Sequence, residues 1–574
     1  MLPPEIQRVV LLIALAATAY LLILAWNDDM EAARKPVVYS DQPLSSSNSQ
    51  QASDTPVVTA PVDDSDIPSA ELLVESPGTV EPSETTPAAS APAQSQLVEV
   101  QTEVLKLWVD LKGGDIVRTQ LPQFPVSLDE PDIPFTLLDN SVSQVYVAQS
   151  GLIGEHGPDQ KGRPLYTSPV PAVSVSAGQT YTLTLTTPVA NGTLVKEFVF
   201  RGDDYLVDVG YRLQNNSSEN MRAGMYAQIK RDSRPPRTDE SFALAPQPYL
   251  GAAYTTAEER YLKVDFDDVD DDGAFSAVET GGWVAFLQHY FVSAWVAPQE
   301  QTNRFYARKG RDSTYLFGFT GPLQEVAPGQ TGEWKAQFYA GPKDQKRLEE
   351  IAENLNLTVD YGFLWWVAVP LFYLLDWLHG LVGNWGVAII LLTIVVKALL
   401  YPLSAAGYKS MANMRRVAPA MKKLQERYGN DREKLSKEMM ALYQKEGANP
   451  LGGCLPMLLP MPIFIALYWV LFESVELRQA PFFGWIEDLA VMDPFFILPL
   501  LMGASMYWMQ TLNPQVGDPM QVRMMKMMPI MFTVLFLFFP AGLVLYWLVN
   551  NILSVAQQQY VYRQQDKAYA AKNG

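Results

Sequence analysis

The sequence is poor in the residues that build disulfide frameworks and zinc sites. Its 574 residues include one cysteine, Cys454, and three histidines, His156, His289 and His379. A single cysteine excludes an intrachain disulfide, and so few Cys and His side chains argue against a Cys/His zinc site. We therefore expect no metal site and no cofactor.

Signatures of nucleotide-driven and hydrolytic enzymes are also missing. The chain contains no P-loop, no G-x-S-x-G and no H-E-x-x-H, which are the motifs that position phosphates, serine nucleophiles and catalytic zinc. Its formal net charge is −19, whereas binding to nucleic-acid phosphates needs concentrated Lys and Arg. The sequence predicts a protein that is not an enzyme and has no direct nucleic-acid specificity.

Apolar residues are concentrated at the two ends of the chain, in the first 26 and the last 210 residues. Residues 9–26 form an uncharged stretch of 18 that follows Arg8, just long enough to cross a bilayer. Because no small-x-small cleavage site follows, we interpret residues 1–26 as an uncleaved signal anchor with a cytoplasmic amino terminus. A cleaved signal peptide is the alternative.

The region between the apolar ends changes character near residue 99. Residues 37–100 are rich in Ser, Pro, Thr, Ala and acids, too polar to offset the entropy of ordering, so we predict a disordered tether over 27–98. Alternating strand-like runs then predict one β-sandwich domain outside the membrane over 99–345. Residues 346–383 read as a linker and an interfacial amphipathic helix rich in tryptophan.

Five further apolar stretches follow, at 385–403, 455–472, 495–512, 524–539 and 543–562. Residues 524–562 make 39 continuous residues, too many for one span, so we divide them into two spans. Pro540 marks the turn between them. We predict an α-helical polytopic membrane protein with six transmembrane helices, a core over 384–562 and a cytoplasmic tail over 563–574.

Loop charges predict the topology. The loop 404–449 holds ten basic residues against five acids, whereas the loop 473–493 holds only Arg478 against five acids. By the positive-inside rule the first loop is cytoplasmic and the second faces the opposite side of the membrane. Arg523 and Lys526 place the next loop inside, and basic residues after 562 place the carboxyl terminus there too.

Lys397 interrupts an apolar run that is otherwise free of charge. A lysine at the centre of a span costs about 2.5–3.5 kcal/mol on insertion scales, so we expect it to face protein or a water-filled cavity. Its position near the cytoplasmic end leaves open that it snorkels to the headgroups. No Asp or Glu occurs within the five later spans, so an acidic group from outside the protein is the partner we expect.

Polar residues in two spans predict a groove around this lysine. Thr393 lies one turn before Lys397 on the same face. The last span carries a polar stripe that helical spacing places along one side, formed by Trp547, Asn550, Asn551, Ser554, Gln557 and Gln558. The alternative is that these amides and hydroxyls only bond helix to helix.

The cytoplasmic loop 404–449 is predicted to form a helical hairpin. A first helix ends at Gly429, and Asn430 with Glu433 resembles the N-terminal cap of a second. Its basic side chains fit recruitment of a ribosome or nascent chain, or contact with anionic lipid, and the candidates are Arg415, Arg416, Lys422 and Lys423.

Two other patterns have less specific meanings. Methionines over 524–531 suit a surface that accepts many apolar shapes, but ordinary lipid-facing packing explains them as well. The acids from Asp268 to Glu279 match a calcium-loop pattern. Because the surroundings look like strands rather than the two helices of an EF-hand, we favour a solvated acidic turn over calcium binding.

Four segments resemble members of the YidC/Oxa/Alb insertase family: 281–291 (GGWVAFLQHYF), 449–456 (NPLGGCLP), 474–481 (SVELRQAP) and 539–547 (FPAGLVLYW). The resemblance implies a periplasmic β-supersandwich and a five-helix insertase core whose groove is closed toward the periplasm. Family members usually have Arg at the position of Lys397, and often Gln where this chain has Pro460. Lysine keeps the charge but loses the bidentate fork.

The resemblance also implies a function and partners. We expect a membrane protein insertase and chaperone of the bacterial inner membrane that acts on nascent membrane proteins, alone or with the Sec translocon and the ribosome. An ion-coupled transporter is a rival, but it would need intramembrane acids or inverted repeats. A second rival is an assembly chaperone in which the β domain does the work.

Overall fold

The computed structural model describes residues 66–68, 97–141, 143–190, 192–234, 248–271, 273–428, 431–446, 461–512 and 519–573. The predicted anchor over 1–26 lies outside these residues, as do Cys454 and Pro460. The described chain forms a β domain over residues 97–342, followed by a group of helices.

Within the described residues, nineteen strands, numbered along the chain, form two sheets. The 11-stranded sheet contains β1 (Leu97–Gln101), β2 (Lys106–Asp110), β3 (Asp115–Pro125), β4 (Pro134–Ser141), β5 (Gln144–Ile153), β6 (Ala172–Ser174), β10 (Met221–Asp232), β13 (Phe275–Thr280), β16 (Thr302–Lys309), β17 (Thr314–Thr320) and β18 (Gln324–Val326). The 8-stranded sheet contains β7 (Thr180–Val189), β8 (Gly192–Arg201), β9 (Leu206–Asn215), β11 (Gly251–Tyr254), β12 (Leu262–Val264), β14 (Trp283–Leu287), β15 (Phe291–Val296) and β19 (Thr331–Pro342).

Alternation along the strands explains the sandwich. In β8, Leu194, Phe198 and Phe200 are buried, and the residues between them are mostly half-buried. Successive side chains point to opposite faces of a strand, so these apolar rows meet those of the other sheet in one core. Residues 181–185 lie within β7 and residues 283–286 within β14, so these strand-like runs of the sequence form strands.

The strand β14 is buried on both faces because the helices cover its second face. Val284 and Phe286 belong to the sandwich core. Trp283, Ala285 and Leu287 instead share a second apolar cluster with the linker and the membrane helices. The 8-stranded sheet therefore holds the β domain against the helical part.

The helices are likewise numbered along the chain. They are α1 (Phe266–Asp271), α2 (Gln345–Ile351), α3 (Trp365–Val382), α4 (Trp385–Leu399), α5 (Tyr401–Tyr428), α6 (Arg432–Glu446), α7 (Met461–Glu473), α8 (Ile497–Leu512), α9 (Pro519–Phe536) and α10 (Ala541–Asn573). Short 3₁₀ turns occur at Pro158–Lys161, Leu355–Thr358, Gly362–Leu364 and Val475–Leu477.

The predicted break at Pro540 is confirmed, since α9 ends at Phe536 and α10 begins at Ala541. The tail over 563–574 was not assigned to a helix from the sequence, yet α10 continues to Asn573. Its 33 residues extend about 50 Å at 1.5 Å per residue, well beyond the roughly 30 Å hydrocarbon core. The helix α10 is therefore longer than the hydrocarbon core is thick.

One stretch among the described residues, Gly362–Val382, has the length and apolar composition of a membrane span. The pair α4 and α5, bent by 68°, makes a second if counted together, and α7 is a shorter apolar helix. The long stretch is the one interpreted from sequence as interfacial, and Trp365, Trp366 and Trp377 on it are exposed.

The acidic motif is a helix rather than the predicted turn. Asp268 lies in α1, whereas Glu279 lies on β13. The Asp268 N–H donates to Asp265 Oδ1 at 2.8 Å, and the Asp265 N–H donates to Asp268 Oδ2 at 2.9 Å. This reciprocal cap starts a helix. Among the described residues, no group of three or more His, Cys, Asp and Glu side chains is arranged to hold a metal ion.

Candidate functional site

The position of Lys397 follows from the ends of α4. Asn384 caps the helix by accepting a hydrogen bond from the Val387 N–H at 3.0 Å. Pro402 has no N–H and its ring crowds the carbonyl four residues earlier, so the helix breaks at Leu400 and α5 leaves at a 68° bend. Lys397 therefore lies in the last turn of α4, beside the bend.

The Lys397 side chain is buried, with 7% of its surface exposed. Its Nζ donates to Ser554 Oγ on α10 at 2.6 Å, and Gln557 Nε2 donates to the Lys397 carbonyl at 3.4 Å. Within the described part of the chain, Lys397 forms no ion pair. The ammonium group thus has a neutral hydroxyl partner and little contact with solvent.

The other predicted groove residues are held by local hydrogen bonds. Thr393 is 1% exposed, and its hydroxyl donates to the Ile389 carbonyl at 2.7 Å. Ser554 Oγ donates to the main-chain carbonyl of Asn550 at 2.7 Å, and Asn550 is half-buried. Lys397 and Ser554 are brought together across α4 and α10, whereas Asn550 meets Ser554 only through its main-chain carbonyl, and Thr393 lies one turn before Lys397 on α4.

The predicted stripe on α10 divides between neighbouring helices. Asn551 Nδ2 donates to Ser505 Oγ on α8 at 3.0 Å. Trp547 packs edge-on against Phe464 of α7, with ring centroids 4.2 Å apart. Ser554 faces α4 instead. Only part of the stripe therefore borders Lys397, because successive turns of α10 contact different helices.

Sequence reasoning missed the polar contacts that pair α8 with α9. Pro529 cannot donate to the carbonyl of Met525, four residues earlier, and Gln510 Nε2 of α8 donates to that carbonyl. Nearby, a Cβ on Gly503 would approach Thr533 Oγ1 to 1.9 Å. A glutamine and a glycine in one apolar span, opposite a span that contains a proline, were the available signals.

The predicted helical hairpin forms, with α5 packed on α6. Asn430 lies outside the described residues. Asp431 instead occupies the cap position, where its Oδ1 accepts from the Lys434 N–H at 3.1 Å and its carbonyl from the Leu435 N–H at 2.9 Å. Aspartate is as good an N-cap as asparagine.

The four basic candidates of the hairpin have different surroundings. Arg416 donates to the Gln565 carbonyl of α10 at 2.7 Å and stacks over Tyr569. Arg415 lies over Tyr562, beside a cleft of about 290 Å³ between α5 and α10. Lys422 and Lys423 are exposed. The arginines therefore contact α10, and the lysines remain open to partners.

Two buried contacts join the β domain to α7, and sequence reasoning missed both. Lys343, just after β19, forms an ion pair with Glu473 at 3.2 Å, and each side chain is at most 4% exposed. The His289 Nε2–H donates to the Phe472 carbonyl at 2.8 Å. Burial, together with the positive charge of Lys343, lowers the pKa of His289 to about 3. The ring is therefore neutral at ordinary pH.

Comparisons with known proteins agree along the whole chain. The family model described as "60Kd inner membrane protein" matches residues 377–568, and that described as "YidC periplasmic domain" matches residues 97–374. The membrane protein insertase YidC of Azotobacter vinelandii is 48% identical, covering 98% of this chain and 99% of that protein. The YidC of Ectopseudomonas mendocina is 46% identical, covering 99% of this chain and 100% of that protein.

A crystal structure of an active YidC insertase with its first transmembrane domain resolved is 18% identical, covering 81% of this chain and 92% of that chain, with a TM-score of 0.36. The two family models together extend from the first strand to the last helix. High identity over nearly the full length of curated relatives settles the assignment: the chain belongs to the YidC family of membrane protein insertases.

Proposed function

We propose that this insertase receives the hydrophilic end of a nascent segment in a groove bordered by α4, α5 and α10. The observation that carries the proposal is Lys397, which is 7% exposed and hydrogen-bonded to the neutral Ser554. A hydroxyl compensates an ammonium group less well than a carboxylate does. An acidic group on a client would supply the stronger partner.

In this proposal the charge of Lys397 acts on the polar end of the client, and the bilayer acts on its apolar segment. Lys397 attracts acidic residues that precede or follow the apolar segment, because opposite charges interact strongly away from bulk water. The apolar segment leaves along α7 and α9 into lipid, where burial stabilises it by about 25 cal/mol per Å². Neither step needs a nucleotide.

The proposed topology is the one that the loop charges favour. Residues 1–26 anchor the chain, residues 27–98 connect the anchor to the periplasmic domain over 99–345, and the linker and interfacial helix occupy 346–383. Five spans within 384–562 complete a set of six, with both termini in the cytoplasm. This arrangement places the hairpin 404–449 on the side where ribosomes deliver clients.

The hairpin is proposed to recruit those clients. Lys422 and Lys423 are exposed on α5, and exposed cations steer anionic partners. Arg415 and Arg416 fix this helix against α10 through Tyr562, Tyr569 and Gln565. The partners that fit are ribosomes carrying nascent membrane proteins, with the Sec translocon beside them for some clients.

Site-specific photocrosslinking to a ribosome-stalled nascent membrane protein tests the groove. Photoreactive residues at Thr393, Lys397 and Asn550 should crosslink to the client, whereas one at Ile552, exposed on another face of α10, should crosslink mainly to lipid. Equal client yields at Asn550 and Ile552 would contradict the proposed groove.

A further inference from the structure

A short piece of the predicted tether is docked on the β domain. Asp66, Ile67 and Pro68 lie against the 11-stranded sheet, far along the chain from the strands they touch. Asp66 is 3% exposed and Pro68 is also buried. The sequence predicts disorder throughout 27–98, so this contact departs from the prediction.

Three donors converge on Asp66. Lys230 of β10 forms an ion pair with its carboxylate. The main-chain carbonyl of Asp66 accepts from Arg308 Nη2 of β16 at 2.8 Å and from Gln228 Nε2 of β10 at 3.1 Å. A carboxylate and the adjacent carbonyl are thus recognised together, which is more selective than a surface ion pair alone.

The sheet is shaped for this contact. Gly318 of β17 pairs with Gln228 of β10 on one side and with Tyr306 of β16 on the other. Two residues further along these strands, Leu316 pairs in the same way with Lys230 and Arg308. A Cβ at Gly318 would approach Gln228 Cβ to 2.6 Å and the Tyr306 hydroxyl to 2.8 Å. Glycine therefore lets the Gln228 and Tyr306 side chains close over β17.

The Gln228 side chain that contacts Asp66 is held in place by its own neighbours. Gln228 Oε1 accepts from the Tyr306 hydroxyl at 2.7 Å, and Gln228 Nε2 also donates to Gln149 Oε1 at 2.9 Å. Gln149 Nε2 in turn donates to Asp115 at 3.0 Å. These buried bonds fix the orientation of the Gln228 amide, which reduces the entropy lost when a ligand binds.

From this geometry we infer that the outer face of the 11-stranded sheet is a peptide-binding site for an Asp-x-Pro segment, and that its ligand is the chain's own Asp66-Ile67-Pro68. Pro68 restricts the backbone of Ile67 before docking.

Competition in trans tests the site on the full-length protein in nanodiscs. A labelled peptide of residues 60–72 should bind Asp66→Ala protein at least tenfold more tightly than wild type, whose site is already filled, as measured by fluorescence anisotropy. Adding Lys230→Ala to the Asp66→Ala protein should weaken peptide binding at least tenfold. Adding Lys335→Ala, which removes an exposed lysine, should leave it unchanged.

Changes in the peptide separate recognition from general charge attraction. A peptide with Asp66→Asn should bind with intermediate affinity because it keeps the main-chain carbonyl, and a peptide with Asp64→Ala should bind normally. An unchanged thermal unfolding midpoint of the Lys230→Ala protein confirms its fold. The inference is overturned if the peptide does not bind Asp66→Ala protein, binds wild type equally well, or ignores Lys230→Ala.

Discussion

Lys397 illustrates what one residue reveals before and after the structure is known. Its place in an apolar run predicts a buried cation, and the burial is confirmed at 7% exposure. Its partner was not predicted, because Ser554 lies 157 positions away and was one of six polar residues on its helix. Sequence spacing orders residues along one helix, but packing decides which of them meets another helix.

His289 provides a prediction at the same scale. Its pKa of about 3 in the folded protein lies below the ordinary value of about 6.5. Between these values the unfolded chain binds a proton that the folded chain does not, so stability must fall as the pH decreases through this window. The thermal midpoint of wild type should therefore drop more steeply between pH 7 and pH 5 than that of His289→Gln.

The glutamine variant keeps an N–H donor for the Phe472 carbonyl but does not titrate. Comparing both proteins at pH 8, where both side chains are neutral, isolates any effect of shape. Parallel midpoint curves from pH 8 to pH 5 would show that His289 does not become protonated on unfolding, which contradicts the argument.

At the scale of elements, strands and helix breaks were predictable and helix pairing was not. Alternation located β7, and Pro540 located the break before α10. The pairing of α8 with α9 depends on Gln510 reaching the carbonyl that Pro529 leaves without a donor. A glutamine in one apolar span and a proline in another are visible in the sequence, but the sequence of one helix does not show which residue of the other helix it contacts.

Close approach of these two helices predicts the effect of a single methyl group. Gly503→Ala would place Cβ 1.9 Å from Thr533 Oγ1, and such overpacking typically costs about 1–3 kcal/mol. The variant should unfold at a lower denaturant concentration in detergent. Gly380→Ala is the matched control, because a Cβ there meets nothing within 4 Å.

The double variant Gly503→Ala, Thr533→Ala distinguishes this contact from a loss of backbone freedom. Removing the Thr533 hydroxyl and methyl makes room for the new Cβ, so the double variant should recover most of the lost stability. If Thr533→Ala and Gly503→Ala destabilise additively, the two residues are not in contact in the way described.

At the scale of the whole molecule, the β domain and the helices form one packed unit. The second apolar cluster includes residues of β14 and β15 together with α3, α4, α7 and α10. Composition predicted a β domain and a helical region joined by a linker over 346–383. It did not predict that the outer face of the 8-stranded sheet would pack on the helices. The signal in the sequence was that β14 and β15 are almost entirely apolar instead of alternating. Such strands are buried on both faces, and here both are.

The buried pair Lys343 and Glu473 connects those two regions and predicts an asymmetric response. Lys343→Met leaves Glu473 buried without its cation, which should lower stability by about 3–5 kcal/mol. Adding Glu473→Leu should restore most of that loss, because two apolar side chains replace two charges. Differential scanning calorimetry of the purified protein checks both values, and a double variant no more stable than Lys343→Met would contradict the interpretation.

The central claim is that Lys397 attracts acidic groups of clients into the groove. Insertion into proteoliposomes should be measured for two clients that differ only in an acidic or a neutral translocated tail. Lys397→Ala should reduce insertion of the acidic client about tenfold more than that of the neutral client, a difference of about 1.4 kcal/mol, whereas Lys409→Ala, on the exposed face of α5, should affect neither. Equal losses for the two clients, or no loss for either, would contradict the account.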